Sequence, residues 1–370
     1  MMDSQHLIYG ANGFTGELIA REAVRRGLRP ILAGRRREAI EVLATELELP
    51  SRVFELDDPG RLDEGLGGVE AVLHCAGPFV RTSRPMVDAC LRTRTHYLDI
   101  TGEIPVIEHI RNQSSVARES GVALLPSLGI DVVPSDCLAA RLAEALPDAT
   151  HLELAFCTEG GGISRGTMVS MVEAAPHYGA VRQDGEIVSV PFAFDAKQID
   201  FSCGKRWTLT IPWGDIVTAH VTTGIPNIRV YAGVPRRFIA RARRLRALIP
   251  ALGPRPVKRL LQWWIGVTVT GPDQDARATG RTHLWGQVRN DQGENRAATM
   301  DTPEGYTLTA TTAVECLRRV LEGAVEPGFQ TPARAFGTYF VDELPGVTAS
   351  DVFSRPPTSA PERRVPAPGR

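Results

Sequence analysis

At 370 residues the chain has room for two domains with a core each, and its 42 basic side chains are balanced by 43 acidic ones. That balance excludes a nucleic-acid partner held by overall charge and leaves electrostatic contacts to local patches. The six cysteines (Cys75, Cys90, Cys137, Cys157, Cys203, Cys316) never fall within four residues of one another. This excludes CxxC metal or redox motifs and predicts reduced core thiols in a cytoplasmic protein with no metal.

Apolar runs at 6–10, 30–33, 52–56, 71–76, 96–100 and 122–126 alternate with helical stretches at 14–27, 36–47, 83–93, 104–120 and Pro134–Leu146. A strand so early predicts no secretory signal peptide. The alternation predicts an α/β fold, with residues 1–150 as a Rossmann-type, doubly wound parallel sheet. From 151 to 305 the segments "HLELAFCT", "FSCGKRWTLTIP", "DIVTAHVTT", "NIRVYAGV" and "RTHLWGQVRN" read as strands of a second, α+β domain on a mixed or antiparallel sheet. A helix at 310–323 within a C-terminal extension (306–340) follows, then a proline-rich tail, 341–370, expected to be disordered. The longest uncharged stretches, 216–228 and 260–272, are 13 residues each, too short to span a bilayer.

In "HLIYGANGFTGELIA" (6–20), Gly10 ends the first strand, Gly13 lies in the turn and Gly16 opens the helix. Glycine there permits a tight turn, close backbone approach to a pyrophosphate and close helix–strand packing. Asn12, Phe14 and Thr15 complete the loop, with phosphates expected on the helix N-terminus. About twenty residues on, where an NAD site wants a carboxylate, stand Gly34-Arg35-Arg36-Arg37. Arginine's planar fork suits a 2′-phosphate, so Arg35 and Arg36 predict NADP(H). Asp57, past the third strand, either meets the adenine or caps the next helix. Ala76, Gly77 and Pro78 end the fourth strand, where the cofactor should pass.

"THYLDITGE" (95–103) brings Tyr97, Asp99, Thr101 and Glu103 to the end of the fifth strand, where a nicotinamide should lie. These polar groups either line the site or satisfy one another within the loop. In "GIDVVPSD" (129–136), Pro134 and Asp136 suit a helix start, leaving Asp131 as the best candidate to touch substrate or nicotinamide. Tyr97 and Thr101 are the other catalytic candidates; Arg165, His177 and Tyr178 are further possible donors from the second domain.

"YGANGFTG", "AGRR", "VLHCAGPFVRTSRPMVDACLRTRTHYLDITGE" and "LLPSLGIDVVPSDCLA" together resemble the saccharopine-dehydrogenase-like oxidoreductases, a group that includes trans-acting enoyl reductases. No tyrosine is followed four residues on by lysine, so the Tyr-x-x-x-Lys pair of short-chain dehydrogenases is absent. The resemblance covers the first 150 residues strongly. It is weaker in "GGGISRGTMVSMVE" and "GPDQDARATGR", and departs at His74-Cys75, where a small or amide-bearing pair is more usual. It implies an NADPH-dependent oxidoreductase, with the C=C bond of an enoyl, lipid-like or polyketide-like substrate as the favoured target. The alternatives are a saccharopine-type or imine-reducing dehydrogenase, and a non-catalytic NADPH sensor or scaffold.

Residues 216–272 hold ten basic side chains and no acid. Within them, 233–266 reads as a basic amphipathic segment, with Phe238, Leu245, Leu248, Ile249 and Leu252 as its apolar face and Trp263 and Trp264 following. It either packs on its own domain or meets an anionic membrane or an acyl-carrier protein, making the protein peripheral at the membrane.

Overall fold

A computed structural model describes residues 5–174, 179–245 and 254–354. The first part alternates β1 (His6–Tyr9), α1 (Phe14–Arg25), β2 (Ile31–Gly34), α2 (Arg37–Glu46), β3 (Ser51–Val53), α3 (Pro59–Gly65) and β4 (Ala71–His74). It continues with α4 (Phe79–Thr93), β5 (His96–Asp99), α5 (Ile104–Asn112), α6 (Ser114–Ser120), β6 (Ala123–Leu125) and α7 (Val133–Ala145). The six strands pair in parallel in the order β6-β5-β4-β1-β2-β3. Buried on both faces, β1, β2 and β4 read in sequence as near-continuous apolar runs, broken only by His6 and His74 at their ends. The helix expected over 104–120 is two, because the chain breaks at Gln113, and α3 adds a turn that the apolar pattern did not announce.

The second part runs β7 (His151–Glu159), α8 (Arg165–Ala174), β8 (Ala180–Gln183), β9 (Glu186–Ser189), β10 (Ala196–Phe201), β11 (Gly204–Thr210) and α9 (Asp215–Thr223). It goes on through β12 (Asn227–Gly233), α10 (Arg236–Leu245), α11 (Arg255–Thr268), α12 (Gln274–Thr279), β13 (Arg281–Arg289) and β14 (Asn295–Pro303). Its mixed sheet has the order β10-β11-β12-β7-β13-β14, with β12 and β7 as the parallel pair. One face carries Leu152, Leu154, Leu284 and Val288 into a core shared with Leu138 and Leu142 of α7. The other carries Ala155, Cys157, Tyr231 and Trp285 against Ile199 and Phe201.

"DIVTAHVTT" corrects a sequence expectation: it is α9, not a strand. Its β-branched residues favour strands intrinsically, but Ile216, Val217, Thr218 and Ala219 are all buried, and the helix packs on α5 and α7. Gly224 ends it in the left-handed conformation at φ 74°.

The chain then returns to the first domain. The helix expected at 310–323 is α13 (Gly305–Leu321), which lies along α1 with Arg26 and Glu315 paired at 3.1 Å. After it, β15 (Gly328–Phe329) joins β6 as a seventh parallel strand, and α14 (Pro332–Phe336) packs on α7. The expected disorder from 341 is corrected as far as 354: Val341 and Leu344 are buried, while β16 (Thr348–Ala349) and β17 (Phe353–Ser354) pair with β14. Most prolines of that tail fall after 354, outside the described residues.

The basic segment is also corrected. α10 buries Ile239 and Ala242 against Leu209 and Ala193, whereas Phe238 is 45% exposed. The buried face of α10 is thus one residue round from the expected one. Leu248, Ile249 and Leu252 lie outside the described residues. No described helix is long and apolar enough to cross a membrane.

Candidate nucleotide and substrate site

The carboxyl ends of the parallel strands form one edge, where ligands of such sheets bind. At β1, Gly10 has φ +81°, and a Cβ there would lie 2.8 Å from the Ala76 nitrogen at the end of β4. A Cβ on Gly16 would meet the Gly10 carbonyl oxygen at 2.3 Å, so α1 can seat against the turn only with glycine. Gly13 is the N-cap and no side chain caps the helix. The helix geometry therefore leaves the first-turn amides of Phe14, Thr15 and Gly16 for an external acceptor.

Arg35 and Arg36 are exposed at the end of β2, and neither forms an ion pair among the described residues; Arg37 pairs with Glu41 at 2.9 Å. The amide of Asn12 faces Arg36, and with its oxygen turned inward accepts from the guanidinium at 2.7 Å. The glycine turn thus adjoins two cations without a carboxylate partner among the described residues, a fit for a pyrophosphate beside a phosphorylated ribose. Asp57 is exposed and does not cap α3, since Asp58 accepts from Gly60 and Arg61.

Ala76 and Pro78 are partly buried and Gly77 is exposed. The Phe79 and Val80 amides at the start of α4 donate to Glu103 at 3.0 and 2.8 Å. Burial holds His74 neutral, with its imidazole pushed down to about 3, and Nε2 lies 3.1 Å from the Thr82 hydroxyl.

Tyr97 and Thr101 are both buried, and their hydroxyls bond to neighbouring groups of the loop. Tyr97 is fully buried and donates to Asp99 at 2.7 Å. Asp99 also accepts from the Thr101 and Ser127 amides, and the Thr101 hydroxyl accepts from the Glu103 amide. The loop satisfies its own polar groups, as burial demands. Burial pushes Asp99 up to about 6.

Asp131 stands differently. It remains partly accessible, its carboxylate would touch a Cβ on Gly102 at 2.9 Å, and its main-chain carbonyl accepts from the Trp213 indole at 2.7 Å. Burial pushes its carboxyl up to about 7. Asp215, near Asp131 and Asp136, is pushed well above the carboxylate range by burial. Asp136, in the first turn of α7, accepts from Thr222 and the Ala333 amide.

The second domain roofs this edge. Ser170 of α8 donates to Glu103 at 3.0 Å. Tyr306 stacks edge-on against Phe14, and its hydroxyl accepts from the Ser164 amide at 2.6 Å and lies 2.8 Å from the Thr167 hydroxyl. Arg165 is exposed at the start of α8, while His177 and Tyr178 lie outside the described residues. Ser170, Tyr306 and Trp213 carry no local sequence signal, because each acts through a partner distant in the chain.

Residues 6–125 match the saccharopine dehydrogenase NADP binding domain. A trans-acting enoyl reductase of Mycobacterium leprae is 33% identical over 138 residues, covering 35% of this chain and 33% of that protein. A saccharopine dehydrogenase-like oxidoreductase of Bos taurus is 30% identical over 150 residues, 35% of each chain. The matches thus span about a third of the length of these relatives. The apo saccharopine dehydrogenase (L-Glu forming) of Saccharomyces cerevisiae shares the fold, with TM-score 0.63 and 13% identity over 94% of this chain and all of that one. The stretch that holds the glycine turn, the open helix start, Arg35 and Arg36 is accordingly similar to a saccharopine dehydrogenase NADP binding domain, and the cofactor is NADP(H).

Proposed function

We propose that the chain is an NADPH-dependent reductase acting on the C=C bond of an enoyl, lipid-like or polyketide-like substrate in the cytoplasm. The observation that carries this reading is the roof of α8 over the strand ends, fastened through Ser170 to Glu103 and through Thr167 to Tyr306. A protein that only sensed the nucleotide would need the glycine turn and the arginines but not this closure. The similarity to an enoyl reductase supports the choice of substrate class.

Bound NADPH supplies the hydride. The α1 start receives the pyrophosphate, and Arg35 and Arg36 receive the 2′-phosphate. The α8 roof excludes water and orients the substrate. Asp131 holds a proton on its carboxyl near neutrality, ready for the carbon or oxygen that gains charge.

A second observation bears on how such a substrate arrives. α11 packs on α8 and leaves Leu260, Trp263, Trp264 and Val267 exposed, Trp263 by 66%. With the exposed arginines of α10, this surface suits an acyl-carrier protein or an anionic membrane presenting an acyl chain. The test is NADPH consumption on enoyl thioesters and imines, beside a binding titration. Turnover on enoyl thioesters is expected. Turnover on imines alone supports a saccharopine-type enzyme, and tight binding without any turnover supports a sensor; either overturns the proposal.

A further inference from the structure

On the face of the mixed sheet turned away from α7, three neighbouring strands bring Cys157, His283 and Asp301 into one cross-strand row. Glu159, two residues along β7 from Cys157, projects on the same face. The tip of the β10–β11 hairpin adds Cys203, whose sulfur lies 3.6 Å from that of Cys157. One ligand atom each from Glu159, Cys203 and His283 lie within 4.8 Å of one another.

His283 is the informative member. Its Nδ1 lies 2.7 Å from the Asp301 carboxylate, which only accepts, and 3.0 Å from the Ser202 hydroxyl, so Nδ1 donates to Asp301 and Nε2 is the nitrogen that would meet a metal. The Ser202 hydroxyl also donates to Asp301. His283 is 9% exposed, and its Nε2 is buried with no hydrogen-bond partner. That nitrogen faces a Glu159 oxygen at 3.7 Å, too far for a hydrogen bond. The other Glu159 oxygen accepts from Arg206 at 2.5 Å, and the carboxylate also meets the Cys203 thiol.

We propose that Glu159, Cys203 and His283, whose ligand atoms already converge, hold a structural zinc ion, with Asp301 orienting His283 and the Cys157 sulfur, which lies outside that group but 3.6 Å from the Cys203 sulfur, closing on the ion as fourth ligand. Two sulfurs and an imidazole select a borderline-soft ion over magnesium or calcium. Around tetrahedral zinc, two sulfurs stand about 3.8 Å apart and a nitrogen–oxygen pair about 3.4 Å. The spacings of 3.6 and 3.7 Å are close to these. Binding replaces each S–H by an S–Zn bond and releases one proton per thiol. The ion fastens the β10–β11 hairpin tip to β7 and β13, on the sheet face opposite α7.

The full chain, purified with reductant, is analysed for zinc, stripped with a chelator and titrated with Co2+. Expected are about one zinc per chain and, for Co2+, a thiolate charge-transfer band with the visible bands of a tetrahedral ion. Cys203→Ser should lose that charge-transfer intensity in part and bind at least tenfold more weakly. Asp301→Asn, which keeps all four ligands, should weaken metal binding by about 10–100-fold. Absence of both zinc and the Co2+ thiolate band in the reduced wild-type chain overturns the site, whatever the variants do. So does a Cys157–Cys203 disulfide in freshly isolated, zinc-free protein, or an unchanged Co2+ spectrum in Cys203→Ser.

Discussion

The hydroxyl of Ser170 donates to the carboxylate of Glu103 at 3.0 Å, joining a helix of the second domain to the loop that follows β5 of the first. Glu103 also accepts from the two amides at the start of α4, so one side chain caps a helix and fastens the roof. Glu103→Gln keeps the shape but has a single acceptor oxygen and no charge. It should destabilise the chain by about 1–2 kcal/mol, and Ser170→Ala by less. Urea unfolding measures both; equal losses would mean that the α4 cap contributes nothing.

Cofactor selectivity rests on Arg35 and Arg36. Replacing both by alanine should weaken NADPH binding by about 1–3 kcal/mol and leave NADH little changed. Fluorescence titration with each nucleotide decides it. An equal loss for both would remove the 2′-phosphate from these arginines.

The glycine turn separates packing from binding. A Cβ on Gly16 has a backbone oxygen at 2.3 Å, whereas on Gly13 the nearest is at 3.2 Å. Gly16→Ala should therefore cost about 1–3 kcal/mol of stability. Gly13→Val should fold with a nearly unchanged Tm and lose NADPH affinity by crowding the pyrophosphate. Normal NADPH binding by a folded Gly13→Val would make the turn purely structural.

Asp131 has a signed pH dependence. Its carboxyl is raised from 3.8 to about 7, so between those values the folded chain holds a proton that the unfolded chain releases. Its contribution to stability is full below the lower value and is lost as pH rises through the upper one. Asp99, Asp136 and Asp215 are raised too and slope the same way. Asp131→Asn should flatten part of this slope, gaining relative stability above neutrality. In turnover, the wild type should decline above about 7 and the variant should be slow without that inflection. A wild-type slope unchanged in Asp131→Asn would show that this carboxyl ionises normally.

The parallel sheet and the nucleotide edge were legible in the sequence because their signals are local. Buried parallel strands are short apolar runs, a glycine turn is read within seven residues, and Arg35 and Arg36 follow directly on β2. Roles that depend on partners were not legible. "DIVTAHVTT" carries strand-forming residues, and only its burial against α5 and α7 makes it a helix. Tyr97 looked free to serve a ligand until the fold placed Asp99 on its hydroxyl. The cysteines showed no metal spacing along the chain, yet sheet register and a hairpin tip gather Cys157, Cys203 and His283. Sequence by itself determined which segments must be buried and where an anion can approach the backbone. Tertiary structure alone decided which polar atoms are consumed by neighbours and which, like Nε2 of His283, are left without one, because hydrogen-bond satisfaction depends on groups that only folding brings together.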